Sequence, residues 1–336
     1  MKGGERDLNT KDRILKMLAE NKGRFISGEQ ISEELGISRT AVWKHILKLR
    51  EEGHRIQSVN RLGYQLVNSG DVYDRGTILS RLNTKILGKN LYFYETIDST
   101  NNELKKMAAE GACEGTVVIA LCQTEGRGRR GRRWQSDAGS GIYMSVLLKP
   151  DLPPTAVQSI TLLASSAVCK VLEKYVKSGL GIKWPNDILI NNKKVCGILT
   201  EMTSEPDKVQ AIILGIGLNV WNREEDFGDE LKHTATSLCL NTDREISRTQ
   251  LVVEILKELE DLYLNFVEKG SSAKFMDIWR CFSVTIGRDI IVIQGENRWQ
   301  AKALDVLDDG RLLVETPDGK RQTVLSGEIS IRSCDN

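Results

Sequence analysis

The sequence predicts an α+β protein of three parts. These are an N-terminal winged helix-turn-helix over residues 1–68, a central mixed-sheet α/β domain over 69–282, and a small C-terminal β-barrel over 283–336. Three observations predict this. Two capped helices joined by a tight turn, with a hairpin behind them, stand at the N-terminus. Helical and strand periodicities alternate through the middle. From about residue 283 the runs become short, β-rich and punctuated by turn residues. A length of 336 residues accommodates two or three domains and a substantial core.

In the head, Thr10 can cap a helix whose Ile14, Leu15 and Leu18 follow helical spacing, and Asn21, Lys22 and Gly23 end it. Ser27-Gly28-Glu29-Gln30 has the form of a capping box and opens a short helix with Ile31 and Leu35 inward. The turn Leu35-Gly36-Ile37-Ser38 leads to a third helix, with Ala41, Val42, Ile46 and Leu49 inward and Gly53 as its stop. Arg55–Ser58 and Tyr64–Val67 read as two strands of a wing across Asn60-Arg61-Leu62-Gly63. Such a unit presents the start of its second motif helix to a DNA major groove. The outward residues are then Arg39, Thr40, Trp43 and Lys44, with Arg61 at the wing tip near a minor groove or the backbone. A winged helix used for protein contacts is the competing reading, and Trp43 equally suits packing.

Asn68-Ser69-Gly70-Asp71 marks a linker. Beyond it, Ile78–Leu82, Asn101–Ala109, Thr155–Tyr175 and Ser247–Val267 suit helices. The last has Leu251, Ile255, Leu259 and Leu262 on one face, and Ala164-Ser165-Ser166-Ala167 allows close packing of the third. Leu91–Thr96, Thr116–Gln123, Gly141–Leu148, Ile188–Ile190, Lys194–Glu201 and Val209–Val220 suit strands. In the tail, strand-like runs at Ile290–Ile293, Trp299–Leu304, Leu312–Glu315, Gln322–Leu325 and Ile329–Arg332 are separated by turns such as Asp308-Asp309-Gly310 and Pro317-Asp318-Gly319. They predict an antiparallel barrel.

Charge divides the chain. Lys and Arg number 47 and Asp and Glu 46, a net of +1, which excludes a uniformly basic coat protein and an acidic disordered chain. Residues 1–67 hold 13 Lys and Arg against 9 Asp and Glu, a net of +4, so the remainder carries −3. No apolar run is long enough for a transmembrane helix, and the N-terminus lacks an apolar signal core. The seven cysteines are scattered and form no CxxC, which points away from a disulfide framework or zinc site and towards the reducing cytoplasm. Among them, Cys122 and Cys196 read as packing residues.

Two segments carry chemistry. Gly126-Arg127-Gly128-Arg129-Arg130-Gly131-Arg132-Arg133-Trp134 puts five arginines in seven residues between two apolar strands. The arginines repel one another, and the glycines let backbone amides approach a ligand. The loop should therefore order around an anion such as a phosphate. A solvated basic loop and an RGG-like nucleic-acid segment are the alternatives. The second segment runs from Lys183-Trp184-Pro185-Asn186-Asp187 through Asn191-Asn192 to Lys193-Lys194-Val195-Cys196-Gly197. The Asn pair suits a hairpin turn, the two lysines point to opposite faces, and Gly197 leaves room for a ligand against the strand.

Taken in order, GRGRRGRRW, KWPNDI, KKVCGILTE and GIGLNV resemble the biotin protein ligases. With the head, the whole chain is similar to the family's bifunctional ligase and biotin-operon repressor members. The resemblance implies a central domain of class II synthetase-like type and an SH3-like C-terminal barrel. It implies formation of biotinyl-5′-AMP from biotin and ATP with Mg²⁺, then transfer of biotin to a lysine of a biotin carboxyl carrier domain. The adenylate-bound homodimer would repress biotin genes at operator DNA. Biotin contacts fall to Ser99, Thr100, Asn101, Gln123, Arg127, Gly128, Arg129, Lys194 and Gly197. Nucleotide contacts fall to Arg129, Lys183, Asn186, Asp187 and Asn219, and a metal contact to Asp187. Lys194 and Arg129 are the implied catalytic pair. Gln135-Ser136-Asp137-Ala138 departs from the Ser-Pro pair the family usually carries after the tryptophan. Against this stand a ligand-sensing repressor without catalysis, a lipoate ligase, and a ligase whose head no longer binds DNA. Pyrophosphate exchange separates the first and an operator mobility shift the last.

Overall fold

The computed structural model describes residues 10–21, 23–51, 54–67, 71–204, 209–325 and 328–331. The expected helix-end residues Lys22 and Gly53, the linker residues Asn68, Ser69 and Gly70, and Arg332 lie outside them.

The head consists of α1 (Thr10–Glu20), α2 (Gly28–Leu35), α3 (Arg39–Glu51) and the antiparallel pair β1 (Ile56–Val59) and β2 (Gly63–Leu66). The caps fall where the residue types place them. Ser27 Oγ accepts the Gln30 N–H at 2.9 Å, Ser38 Oγ accepts the Ala41 N–H at 3.2 Å, and Gly36 ends α2 in the left-handed region at φ 65°. Ile14, Leu18, Ile31, Val42, Ile46 and Leu49 close a small core. The wing strands begin and end about one residue from the predicted bounds. Gly63, at φ +110°, still pairs with Val59 and lies against the Ile26 backbone, where a side chain has no room.

The body continues with α4 (Arg75–Arg81), β3 (Leu91–Ile97), α5 (Thr100–Ala109), β4 (Val117–Gln123), β5 (Gly141–Leu148), α6 (Val157–Leu172), β6 (Leu180–Lys183), β7 (Asp187–Ile190), β8 (Lys193–Ser204), β9 (Val209–Asn219), α7 (Gly228–Leu231), α8 (Arg248–Lys269) and α9 (Ala273–Phe282). Its seven strands run β3-β4-β5-β9-β8-β7-β6. Only β3 and β4 are parallel neighbours; every other pairing is antiparallel. One face is covered by α6, α8 and α9 over the main core. Ser166 Oγ bonds to the carbonyl oxygens of both Leu162 and Phe275, a contact open only to a small residue between two close helices. The other face carries α5 over a second cluster of Leu104, Val118, Leu147, Ala211 and Ile213.

Three elements escaped the periodicity. These are β6, four residues long with a glycine, α7, a single turn of four residues, and α9, whose buried Phe275, Met276 and Trp279 lie within a single turn and a half. The long helix is shorter than predicted. Pro154–Ala156 forms a 3₁₀ turn ahead of it, and the chain leaves it after Leu172. Arg248, buried at the start of α8, ties the chain that leaves the linker to the body. It bonds Asp71 at 2.9 Å, donates to the Gly139 carbonyl at 3.0 Å and lies 4.6 Å from the Tyr73 ring centroid.

The tail contributes β10 (Asp289–Gln294), β11 (Asn297–Val306), β12 (Leu312–Glu315), β13 (Arg321–Val324) and β14 (Glu328–Ile331). They form an antiparallel sheet ordered β13-β12-β11-β10-β14. Trp184, fully buried, joins it to the body. Its indole N–H donates to the Gly310 carbonyl at 3.0 Å and its backbone N–H to Thr285 Oγ1 at 3.0 Å.

Candidate active site

A cavity of about 510 Å³ opens on the α5 face of the large sheet. Its floor follows from register. Tyr143 pairs with Gly217 and Ser145 with Gly215 across β5 and β9, while Gly197 pairs with Gly217 and Leu199 with Gly215 across β8 and β9. Paired residues share a face, so three glycines, one on β8 and two on β9, meet on one side of the sheet. A Cβ on Gly217 would meet the Trp134 ring at 2.6 Å, and one on Gly197 would meet it at 3.0 Å. Side chains are absent there because another group lies against the backbone.

At one end of the floor stand Ser99, Thr100, Asn101 and Gln123, all lining the cavity. Ser99 precedes α5 in extended conformation, but its hydroxyl makes no capping bond to the helix. The Thr100 N–H donates to Gln123 Oε1 at 2.8 Å, and Gln123 Nε2 donates to Ser136 Oγ at 2.8 Å. Ser136 belongs to the segment that departs from the family pattern, and it is buried in this contact. Nearby, hydrogen bonding from the Asn102 amide holds the Asp98 carboxyl below the usual carboxylate range.

The arginine loop roofs the cavity as a closed turn. Arg127 bridges Arg133, the Gly128 N–H donates to the Arg132 carbonyl at 2.7 Å, and the Trp134 N–H donates to Gly126 at 2.9 Å. Arg130 takes a left-handed conformation at φ 57° and reaches the Ile293 carbonyl of the C-terminal sheet at 3.3 Å. Arg129 Nη1 donates to Asn186 Oδ1 at 3.3 Å, joining the roof to the second motif. Asn186 Nδ2 is held by the Ile198 carbonyl at 2.9 Å.

Lys194 reaches the site through a β-bulge. Asn191 and Asn192, at φ 50° and 64°, form the tight turn between β7 and β8. Asp187 pairs with Gly197, Ile188 with Cys196 and Leu189 with Lys194, so the β8 strand holds one residue more than its partner over this stretch. The extra residue, Val195, brings Lys194 to the same face as Gly197. Simple alternation would have separated them. Lys194 Nζ lies 2.6 Å from Asp187 Oδ1 and 5.4 Å from the Trp134 ring centroid. Lys193 points elsewhere, to the Lys232 carbonyl at 3.2 Å. Cys196, between Lys194 and Gly197, is buried, and burial pushes its thiol pKa well up, so it stays neutral.

Lys183 also lines the cavity, as does Asn219, whose amide donates to the Thr236 carbonyl at 3.0 Å. Every predicted ligand and catalytic residue therefore borders one cavity. Sequence reasoning missed its far wall: Asn222, Phe227, Leu231, Thr234 and Ala235, with Ile329 from the C-terminal sheet. Lys194 anchors this wall, since its N–H donates to the Thr234 carbonyl at 2.7 Å and its carbonyl accepts from the Thr236 N–H. The segment has no periodicity; its only signal was its place directly after the GIGLNV strand.

The predicted DNA-facing residues form a separate surface. Arg39, Thr40 and Lys44 are exposed on α3, Trp43 is 51% exposed rather than packed, and Arg61 is exposed at the wing tip with φ 65°. Head and body meet elsewhere: Arg24 pairs with Asp226, and the Arg223 side chain reaches the Glu20 carbonyl.

A winged helix on a mixed sheet with a glycine-floored, cation-roofed cavity defines a regulator-type head fused to an enzyme-type body. Residues 93–219 match the Biotin/lipoate A/B protein ligase family, 10–65 an HTH domain, and 285–332 the biotin protein ligase C-terminal domain. The chain is 39% identical over 318 residues to the bifunctional ligase/repressor BirA of Bacillus subtilis, covering 95% of this chain and 97% of that one. It is 31% identical over 325 residues to the Escherichia coli protein of the same name, covering 96% and 97%. Among solved structures it resembles the biotin protein ligase from Aquifex aeolicus in complex with biotin and ATP, with TM-score 0.61, 32% identity, and coverage of 73% of this chain and 99% of that one. The chain belongs to the biotin protein ligase family and has the domain composition of its bifunctional ligase/repressor members.

Proposed function

We propose that the chain is a biotin protein ligase that also acts as a biotin-responsive repressor. The observation that carries the ligase reading is the meeting of Lys194, Asp187, Asn186 and Arg129 at the edge of the glycine floor. Biotin lies along Gly197, with its ring towards Ser99, Thr100, Asn101 and Gln123 and its tail leading under Arg127, Gly128 and Arg129. ATP enters as its magnesium salt against Lys183, Asn186, Asp187 and Asn219. Among the described residues no group of three His, Cys, Asp or Glu is placed to hold a metal ion. Asp187 would be the carboxylate that holds a metal ion bound to the triphosphate, and such an ion would screen the phosphate charge.

In the first step a biotin carboxylate oxygen attacks the α-phosphorus. A C–O–P linkage forms, the bond to the bridging oxygen breaks, and pyrophosphate leaves. Carboxylate and triphosphate repel each other, and Lys194 and Arg129 offset that repulsion and the charge growing at phosphorus. The arginine roof excludes water from the mixed anhydride. In the second step the amine of a carrier-domain lysine attacks the acyl carbon. An amide forms, the amine loses a proton, and AMP departs. The reaction draws on ATP and suits the cytoplasm.

The exposed cations of α3 and Arg61 suit operator DNA, and an adenylate-bound homodimer would double these contacts. No helix among the described residues is long and apolar enough to cross a membrane. The test is incubation with biotin, MgATP and a biotin carboxyl carrier domain, followed by mass measurement. A gain of one biotinyl group is expected; none would overturn the ligase reading. A mobility shift of operator DNA that requires biotin and ATP tests the repressor, and no shift would leave a ligase alone.

A further inference from the structure

The wing is a ribbon of two strands, and a strand pair alone holds its shape poorly in water. Its outer edges show what steadies it. On β2, Tyr64 exchanges both backbone bonds with Ile26, each at 2.8 Å. Along β1, the Arg55 carbonyl accepts from the Val67 N–H, and Gln57 and Val59 alternate with it in facing β2. The Ile56 carbonyl therefore points the other way, off the free side of the ribbon. Arg50, in the last turn of α3, fills that side. Its Nε donates to the Ile56 carbonyl at 2.8 Å and its Nη2 to Ser58 Oγ at 2.6 Å. One planar guanidinium thus grips two residues of the strand, a fork that the compact ammonium of lysine cannot copy.

The grip joins parts that are otherwise anchored apart. Val59 and Leu62, on either side of the wing tip, pack with the core of the body. Arg61 between them stays exposed, at φ 65°. The α3 helix instead packs through Val42, Ile46 and Leu49 into the small core of the head, where Ile56 joins it. Apolar packing is non-directional and sets how close the ribbon lies to α3. The two bonds from Arg50 are directional and set its angle.

We propose that Arg50 is a positioning residue for DNA recognition, whose fork fixes the angle between α3 and the wing so that Arg61 meets the phosphate backbone while α3 lies in the major groove. The inference rests on the DNA-binding reading of the head given above. Arg50 acts through Arg61 and not on the duplex, because the donors on one side of its guanidinium are taken by the wing. Without the fork the ribbon swings, and the Arg61 contact bears an ordering cost that it escapes in the parent.

The test is a titration of the full chain, with biotin and MgATP, against a labelled random-sequence DNA duplex at several salt concentrations. Arg61→Ala is expected to lower the slope of log affinity against log salt by about one. Arg50→Ala and Arg50→Lys should each reproduce that loss, and adding Arg61→Ala to either should cost nothing further. Ser58→Ala alters no charge and removes one of the two acceptors. It should weaken binding less than Arg50→Ala does, and it should be silent once position 61 is alanine. A direct phosphate contact by Arg50 predicts otherwise: the Arg50→Ala, Arg61→Ala pair would lose a slope of about two, and Arg50→Lys would bind as the parent does. Additive losses in the pair, parental binding by Arg50→Lys or Ser58→Ala, or no effect of Arg61→Ala would overturn the inference. Failure of the DNA reading itself appears differently, as a parent chain that binds no duplex, and the inference would fall with it.

Discussion

The chain has two sets of arginine and lysine that share a residue type and differ in arrangement. On the head, Arg39, Lys44 and Arg61 stand exposed on a helix and a wing tip. In the body, the arginine loop is folded back on itself, its Arg129 tethered to Asn186 and its Arg130 to Ile293. Exposed, separated cations suit a long polyanion read through many weak, salt-sensitive contacts. Cations held over a cavity suit one compact anion, where each interaction is stronger because water is excluded. The same residue types therefore support two functions, and substitutions should separate them.

The largest expected effect is at Lys194. Lys194→Ala removes the cation paired with Asp187 and is expected to lower biotin-dependent pyrophosphate exchange by at least about a thousandfold. Binding of the head to nonspecific DNA at low salt should not change. Exchange at the parental rate would remove Lys194 from the chemistry.

Next comes Arg129→Gly, which cuts the tie from roof to Asn186. Biotinyl-adenylate should dissociate about ten to a hundred times faster, and released adenylate should biotinylate bystander lysines. Gly217→Ala attacks the same closure from the floor, since its Cβ would stand 2.6 Å from the Trp134 ring. It should raise KM for biotin while leaving the thermal midpoint within a few degrees. If adenylate lifetime is unchanged in Arg129→Gly, the roof does not retain it.

Much of this comparison could be read from the sequence, because it depends on local chemistry. Ser27, Ser38 and Gly36 mark helix ends through side-chain hydrogen bonds and a left-handed turn, and the Asn191-Asn192 pair marks its hairpin. The motif residues converge because the strands carrying Gln123, Lys183, Asp187, Lys194 and Asn219, the start of α5 and the arginine loop all border one glycine floor. What the sequence hid depends on pairing over distance. The bulge at Val195 decides which lysine faces inward, and no local pattern announces it. The wall from Asn222 to Ala235 is held by backbone bonds to Lys194, not by any periodicity of its own. Glu201 and Ser145 carry no local signal in the sequence; register sets both beside Asn101.

Smaller effects belong to the head, and they sharpen the comparison from its other side. Arg39→Ala or Lys44→Ala should weaken operator binding by about 1–3 kcal/mol without altering exchange, since neither lines the cavity. Arg61→Ala is the subtlest. It lies at the wing tip, where a phosphate contact is worth less than a base contact. Loss of one phosphate contact should weaken specific and nonspecific DNA alike and reduce the slope of log affinity against log salt by about one. A change in sequence preference with an unaltered slope would instead put Arg61 at base edges in a minor groove. A titration over several salt concentrations with operator and scrambled duplexes distinguishes the two, and the ligase rate of the same variant shows whether the head and the cavity act independently.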